Sequence, residues 1–163
     1  GRYRFEDIYT FEDVLTGRVA LDNKKVAVIG SGMTGLETAD YLGERGCQVT
    51  VVEMAPVAAP GTWMQHTDDI LPRLEKQGAQ IRTGEKLCEL YPDRIVTENV
   101  KSGMQTELDV DAVVLALGSY SNTALTEQLR QEGFRVIPVG DAVKVGRIRN
   151  ATASGYNAAV ALP

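Results

Sequence analysis

Short apolar runs alternate with amphipathic stretches in the first third of the chain. Residues 26–29 and 49–52 are continuous runs of apolar or β-branched residues, which is typical of parallel strands covered on both faces. Between these runs, apolar residues recur at helical spacing over 36–42, and Gly46 follows where a helix C-terminal cap is expected. Two strands joined by a helix-length crossover must pair in parallel, so residues 24–53 predict a β-α-β unit.

The remaining pattern predicts further helices and a group of short strands. Three short strands separated by turn residues, at 87–91, 94–97 and 106–110, indicate a β-meander. The other predicted helices are a helical turn at 9–17 capped by Thr10, a helix from about residue 67 that Pro72 kinks or restarts, and helices at 124–131 and 151–162. The other predicted strands lie at 79–82, 112–117 and 135–139. Together they predict an α/β fold: a Rossmann-like parallel sheet with helices on one face and the β-meander on the other.

A glycine-rich turn joins the first strand of the β-α-β unit to its helix. It has the pattern G-x-G-x-x-G, in which the first glycine permits the turn, the second lets the backbone approach a pyrophosphate, and the third lets helix and strand pack closely. Free N–H groups at the helix start then hold phosphates without a basic side chain. The pattern predicts a dinucleotide site, with a plain tight turn as the alternative, formed by Gly30, Ser31, Gly32, Met33, Thr34 and Gly35.

An acidic residue ends the second strand of this unit. Glu53 stands 23 residues after Gly30, where a carboxylate accepts hydrogen bonds from the adenosine ribose hydroxyls. It would repel a 2′-phosphate, and neither the adjacent Met54 nor the next two residues supply a cation to neutralise one. We therefore expect NADH rather than NADPH, with Glu53 and Met54 at the cofactor; an exposed structural glutamate is the alternative.

Composition and charge narrow the function classes. The 17 basic and 22 acidic residues give a net charge of −5, which argues against a nucleic-acid partner. No apolar run approaches the roughly 18 residues of a membrane span and no signal peptide is evident, so we expect a cytoplasmic location and no membrane partner. One histidine and two cysteines without a C-x-x-C pattern predict no metal site, and no residue demands a catalytic role.

The fingerprint region and both ends of the chain resemble one group of flavoenzymes. Residues 28–39, with Gly46 and 49–53, resemble the NAD(P)H-binding half of two-dinucleotide flavoprotein reductases. Residues 11–17 and 139–159 resemble the C-terminal region of NADH:flavin oxidoreductases of the 2,4-dienoyl-CoA reductase and enoate reductase type, in the pyridine nucleotide-disulfide oxidoreductase superfamily. In that group a barrel with FMN and an iron–sulfur cluster precedes an FAD domain, into which an NAD(P)H domain is inserted.

The resemblance implies a domain organisation and a role. Residues 1–22 would be a lead-in segment, 23–120 an NAD(H)-binding Rossmann domain, and 121–163 a returning part of an FAD domain. The chain would present NADH for hydride transfer to FAD in a parent enzyme that reduces an α,β-unsaturated substrate, with FMN and an iron–sulfur cluster possible in that parent. The partner would be the remainder of the parent flavoprotein, and the isolated chain would bind NADH but turn over nothing.

Three further positions match the group's motifs. The resemblance places Glu37 near the nicotinamide carboxamide, Gly118 beside the nicotinamide nucleotide, and Asp141 on the FAD ribityl chain. The alternatives are a helix-surface glutamate, a strand-ending turn and a turn-capping aspartate, respectively. Because the chain holds only one G-x-G-x-x-G, we expect it not to bind FAD by itself.

Two other classes of function remain open on the sequence alone. The fingerprint could hold the ADP half of FAD, which would make the chain a flavin-binding domain and colour the protein yellow. It could also belong to a non-enzymatic NAD(H)-sensing module. Trp63 and Met64 are expected to form a local packing cluster rather than to line the nucleotide pocket.

Overall fold

The structure is a computed structural model and describes residues 7–162. The chain divides into two compact units, Gly1–Leu117 and Gly118–Pro163, which are described separately. The elements of the first unit are, in chain order, β1 Ile8–Thr10, α1 Phe11–Leu15, β2 Lys25–Ile29, α2 Met33–Glu44, β3 Gln48–Glu53, α3 Met64–Lys76, β4 Gln80–Thr83, β5 Glu85–Leu90, β6 Arg94–Asn99, β7 Gln105–Asp109 and β8 Ala112–Leu115.

Five of these strands form one parallel sheet in the order β1-β8-β2-β3-β4. The predicted β-α-β unit is its centre, because β2 pairs in parallel with β3 and α2 connects them. Strand β8 pairs with the other edge of β2, so Ile29 and Leu115 lie side by side where both strands end. The carboxyl ends of β2, β3 and β8 therefore meet at one edge of the sheet.

Successive residues of the central strands supply two different cores. Val26 and Val28 of β2 pack with the helices, in a cluster that includes Leu36 of α2 and Leu74 of α3, all at most 1% exposed. Because side chains alternate across a strand, the intervening residues of β2 face the opposite side. A continuous apolar run in β2 is thus explained by burial on both faces, as the sequence predicted.

The opposite face of the sheet is covered by the β-meander. Strands β5, β6 and β7 form an antiparallel sheet in that order. Ile95 of β6 is fully buried in a second core with Ala27 and Ile29 of β2 and Val113 of β8. The predicted fold class, a Rossmann-like parallel sheet between helices and a meander, is confirmed.

The start of the described chain forms a capped helical turn, as predicted, but also a strand that the sequence analysis missed. The Thr10 hydroxyl accepts a hydrogen bond from the Asp13 N–H at 3.2 Å, and the Asp13 carboxylate accepts one from the Thr10 N–H at 3.0 Å. Immediately before this cap, β1 pairs with β8 at the edge of the sheet.

The third helix begins earlier than predicted. It starts at Met64 rather than near Thr67, and it runs through Pro72 to Lys76 without a break. The interior proline removes one backbone hydrogen bond, but Ile70 and Leu74 on either side of it are buried in the core and hold the helix in place. The predicted restart at Pro72 was wrong, and the predicted kink stays a prediction.

The second unit contains two helices, α4 Ala124–Gln131 and α5 Ile148–Val160, and a 3-10 helix at Gly140–Ala142. The Gly140 N–H donates to the Ser154 hydroxyl of α5 at 2.7 Å. The predicted strand at 135–139 is absent: these residues are irregular and pair with no strand among the residues described. A strand needs a neighbour for its backbone groups, and the apolar pattern alone does not supply one.

Candidate nucleotide-binding site

The first and third glycines of the turn are required by the packing of the chain itself. Gly30 has a φ of +103°, and a Cβ there would lie 2.5 Å from the carbonyl oxygen of Ala116. A Cβ on Gly35 would overlap the carbonyl oxygen of Gly30. These two glycines let α2 start directly against the ends of β2 and β8, which is a structural requirement of the fold.

The second glycine is different, because nothing in the fold requires it. Gly32 has a φ of −58°, which any residue adopts, and a Cβ built there meets no atom within 4 Å. The space in front of this residue is open. A side chain is thus excluded neither by strain nor by a neighbour, and the benefit of glycine here is room for something outside the chain to approach the backbone.

The N-terminus of α2 is left without a cap. Gly32 occupies the N-cap position, no side chain accepts a hydrogen bond from the helix start, and the first turn holds no acidic residue. The first N–H groups of a helix lack partners within the helix, and they carry its positive partial charge. Met33, Thr34 and Gly35 therefore present an anion-binding surface beside the open space at Gly32.

The Glu53 carboxylate lies beside the glycine turn at the end of β3. Its Oε2 accepts the Ser31 N–H and the Ser31 hydroxyl, both at 2.8 Å, and its Oε1 accepts the Ala55 N–H at 2.7 Å. Burial, the largest single effect, raises the pKa of Glu53, but hydrogen bonds from Ala55, Ser31 and Met54 together outweigh it. The pKa of Glu53 is consequently below its ordinary value, and the group is an anion at neutral pH.

This carboxylate retains capacity for a further donor. A carboxylate offers about four acceptor positions; Oε2 of Glu53 accepts two short hydrogen bonds from Ser31, whereas Oε1 accepts one short hydrogen bond, from Ala55. A ribose hydroxyl can bind there, whereas a 2′-phosphate would meet a negative charge. Open space at Gly32, uncapped N–H groups and a half-buried carboxylate thus fit a pyrophosphate and a ribose at their expected places.

The other predicted site residues differ in exposure and in the unit to which they belong. Glu37 is exposed one turn into α2, and Met54 is 63% exposed directly after Glu53. Gly118, with a φ of +92°, and Asp141 belong to the second unit. Asp141 is exposed, and its Oδ1 accepts the Gly146 N–H at 3.1 Å. The cofactor roles of these residues stay predictions.

Two features of the site were not predicted from the sequence. Ala59 is buried and donates its N–H to the Ser31 hydroxyl at 3.0 Å, a contact that no motif signals. Trp63 and Met64 do not form the expected packing cluster, because they are 64% and 69% exposed. Both lie at the start of α3, where the chain leaves the segment that follows Glu53.

Residues 7–162 hold neither a cluster of metal-ligating side chains nor a membrane-spanning helix. Within that range no group of three or more His, Cys, Asp or Glu side chains is placed to hold a metal ion. None of the helices described has the length and apolar character needed to cross a membrane.

The parallel sheet, the glycine turn and the acidic residue at the end of β3 together define a nucleotide-binding domain of the Rossmann type. A family model for pyridine nucleotide-disulphide oxidoreductases matches residues 2–145. The chain belongs to this family, which consists of flavoprotein oxidoreductases that bind NAD(P)H and FAD.

Individual relatives agree with this assignment. The chain is 38% identical to NADH oxidase of Thermoanaerobacter brockii over 158 residues, which are 94% of this chain and 24% of that protein. It is 28% identical over 158 residues to cinnamate reductase of Clostridium sporogenes, covering 94% of this chain and 23% of the relative. The solved structure of 6-hydroxypseudooxynicotine amine oxidase from Pseudomonas geniculata superposes with a TM-score of 0.79 at 28% identity, covering 94% and 24% of the two chains. The chain thus spans about a quarter of the length of these relatives.

Proposed function

We propose that this chain is the NADH-binding domain of a flavin-dependent oxidoreductase. The observation that carries the proposal is Gly32. Its backbone angles and surroundings do not require glycine, yet it stands in front of an uncapped helix N-terminus where a pyrophosphate would approach. The phosphates would bind to the N–H groups of Met33, Thr34 and Gly35, and the adenosine ribose would bind to Glu53.

The proposal includes a preference for NADH over NADPH. Glu53 is ionised at neutral pH, and its hydrogen bonds from Ser31 hold it beside the glycine turn. A ribose 2′-hydroxyl would donate to this carboxylate, whereas a 2′-phosphate would be repelled by it. The segment directly after Glu53, residues 54–58, contains no lysine or arginine that would offset that repulsion.

In the parent protein, bound NADH would supply the hydride that reduces FAD. The proposed role of this chain is to hold and orient the nucleotide, with Glu37 and Gly118 near the nicotinamide and Asp141 toward the flavin. Relatives named NADH oxidase and cinnamate reductase support an oxidoreductase parent, and the second name supports reduction of an unsaturated acid. FMN and an iron–sulfur cluster belong to the same proposal for the parent.

Calorimetric titration with the two nucleotides tests the proposal. We expect NADH to bind at least about tenfold more tightly than NADPH, a difference of about 1.4 kcal/mol. Glu53→Gln should narrow this difference, because the amide keeps the shape of the side chain but neither repels a phosphate nor offers a charged acceptor.

The matched control is Glu75→Gln, which removes one negative charge from an exposed position on α3. It should leave both affinities unchanged. Equal binding of NADH and NADPH by the unmodified chain would contradict the assigned role of Glu53, and no binding of either would contradict the proposal itself.

A further inference from the structure

One hydroxyl connects three parts of the proposed site. The Ser31 side chain is fully buried, and its hydroxyl donates to Glu53 Oε2 at 2.8 Å while it accepts the Ala59 N–H at 3.0 Å. Its backbone N–H donates to the same Oε2 at 2.8 Å. The glycine turn, the carboxylate and the segment that follows β3 therefore share one hydrogen-bonded serine.

The segment that Ser31 holds is strained at the point of contact. Ala59 has a φ of +53°, in the left-handed region that residues with a Cβ rarely adopt, and it is only 5% exposed. The Ala59 carbonyl accepts the Thr62 N–H at 3.0 Å, which closes a turn just before Trp63. Such a conformation persists only where surrounding contacts enforce it, and strained residues concentrate at binding sites. The Ser31 hydroxyl is one of these contacts.

We propose that Ser31 is a positioning residue that determines the selectivity of the site for an unphosphorylated ribose. Ser31 fixes Oε2 of Glu53, so that Oε1, which accepts the Ala55 N–H at 2.7 Å, is presented to the 2′-hydroxyl of the nucleotide. Ser31 also holds segment 54–63 against the glycine turn through Ala59. This inference rests on the proposed function and extends it from the carboxylate to the residue that orients it.

Removal of the hydroxyl frees both partners. The terminal torsion of a glutamate is broad, so a carboxylate with fewer hydrogen bonds samples more orientations. In Ser31→Ala, Glu53 Oε2 keeps only the backbone N–H of residue 31, and the buried Ala59 N–H loses its acceptor. Glu53 would then spend less time in the orientation that accepts the ribose hydroxyl and repels a 2′-phosphate.

The test is titration of the full chain and its Ser31→Ala variant with NADH and with NADPH. We expect NADH to bind about tenfold more weakly, as for the loss of one charge-assisted hydrogen bond, and NADPH affinity to change little. The ratio of the two dissociation constants is the informative quantity. If Ser31 only supported the fold, its replacement would weaken the binding of both nucleotides equally. An unchanged ratio of the NADPH and NADH dissociation constants therefore overturns the inference.

Thr38→Val is the matched control, because Thr38 is a fully buried hydroxyl of α2 that donates to the Thr34 carbonyl and not to Glu53. The ratio of the NADPH and NADH dissociation constants of Thr38→Val should equal that of the unmodified chain. If Ser31→Ala does not fold, Ser31→Cys fills the same position with a weakly hydrogen-bonding thiol and is judged by the same ratio.

A double-mutant cycle shows whether Ser31 acts through the carboxylate. If it does, Ser31→Ala combined with Glu53→Gln should bind NADH about as weakly as Glu53→Gln alone. Additive losses would overturn the inference and leave the nucleotide site itself intact. Absence of NADH binding by the unmodified chain would instead refute the proposed function on which the inference rests.

Discussion

Replacement of Gly32 by valine separates the needs of the fold from the needs of the ligand. The backbone at Gly32 is already compatible with a β-branched residue, and a Cβ there meets nothing within 4 Å. The added methyl groups would occupy the open space in front of the N–H groups of Met33 and Thr34. A pyrophosphate could then no longer approach those groups closely.

The expected magnitudes differ strongly for stability and for binding. Valine is a poorer N-cap than glycine, which costs roughly 0.5–1 kcal/mol of the free energy of unfolding. Each charge-assisted hydrogen bond to a phosphate contributes about 1.5–3 kcal/mol. Loss of one or two such bonds weakens NADH binding about 100-fold, which corresponds to about 2.8 kcal/mol. The NADH affinity of Gly32→Ala, which adds a single carbon, should lie between those of Gly32→Val and the unmodified chain.

Quenching of Trp63 fluorescence by NADH provides the assay, because Trp63 is the single tryptophan of the chain and lies at the end of the segment after Glu53. Calorimetry gives the same affinity independently. Gly155→Ala serves as the control: a Cβ there also meets nothing within 4 Å, and the residue lies within α5. It should leave the affinity unchanged.

Gly35→Ala provides the opposite comparison: its Cβ would overlap the Gly30 carbonyl oxygen, so the backbone must shift and the free energy of unfolding should fall. A folded Gly32→Val variant that binds NADH within about twofold of the unmodified chain, a difference of about 0.4 kcal/mol, would refute the reasoning. The dinucleotide would then bind somewhere other than the glycine turn.

Three other predictions test the fold and the electrostatics. The pKa of Glu53 is lowered in the folded chain, so its ionisation contributes stability above the unfolded-state pKa, and this stability is lost as the pH falls through the folded-state pKa. Between pH 6 and pH 3, urea unfolding should therefore show a larger loss of the free energy of unfolding for the unmodified chain than for Glu53→Gln. Ile95→Ala should cost about 2–5 kcal/mol in urea unfolding, since Ile95 is fully buried between the meander and the sheet, whereas the exposed Val100→Ala should change stability by less than about 0.5 kcal/mol. A chain that ends at residue 120 should keep the NADH affinity of the full chain by calorimetry, because the predicted NADH contacts end at Gly118; a large loss with circular dichroism intact would show that the predicted domain boundary is wrong.

The centre of the fold was predictable from the sequence because its signals are local. The apolar runs of β2 and β3, the helical spacing in α2 and the glycine turn all lie within 24–53, and each agrees with the others. The meander was predictable for the same reason, since its turns are marked by Pro-Asp and Lys-Ser-Gly.

The predictions of secondary structure were wrong where an element depends on residues far away in the sequence or where the local sequence signal is weak. Strand β1 is three residues long and exists because it pairs with β8, about one hundred positions later. The strand predicted at 135–139 has an apolar pattern but no neighbour among residues 7–162. Helix α3 begins after Trp63, which is not a capping residue, while Thr67 and the acidic pair after it resemble a helix start.

The residues of the candidate site were predicted from the sequence, but the hydrogen bonds that join them were not. The glycine pattern and Glu53 were recognisable because each residue type has a known chemical purpose at that spacing. The contact between Ser31 and Ala59 was not, because it joins a side chain to the backbone of a distant alanine, and alanine carries no chemical signal.

Amide NMR of the isotopically labelled chain during titration with NADH tests the central claim most directly, because it reports on individual backbone N–H groups. We predict that the largest saturable shifts occur at Gly32, Met33, Thr34 and Gly35, with smaller shifts at Ser31 and Ala55, whose N–H groups donate to Glu53. Saturable shifts confined to other parts of the chain, with these four amides unmoved, would contradict a dinucleotide site at the start of α2.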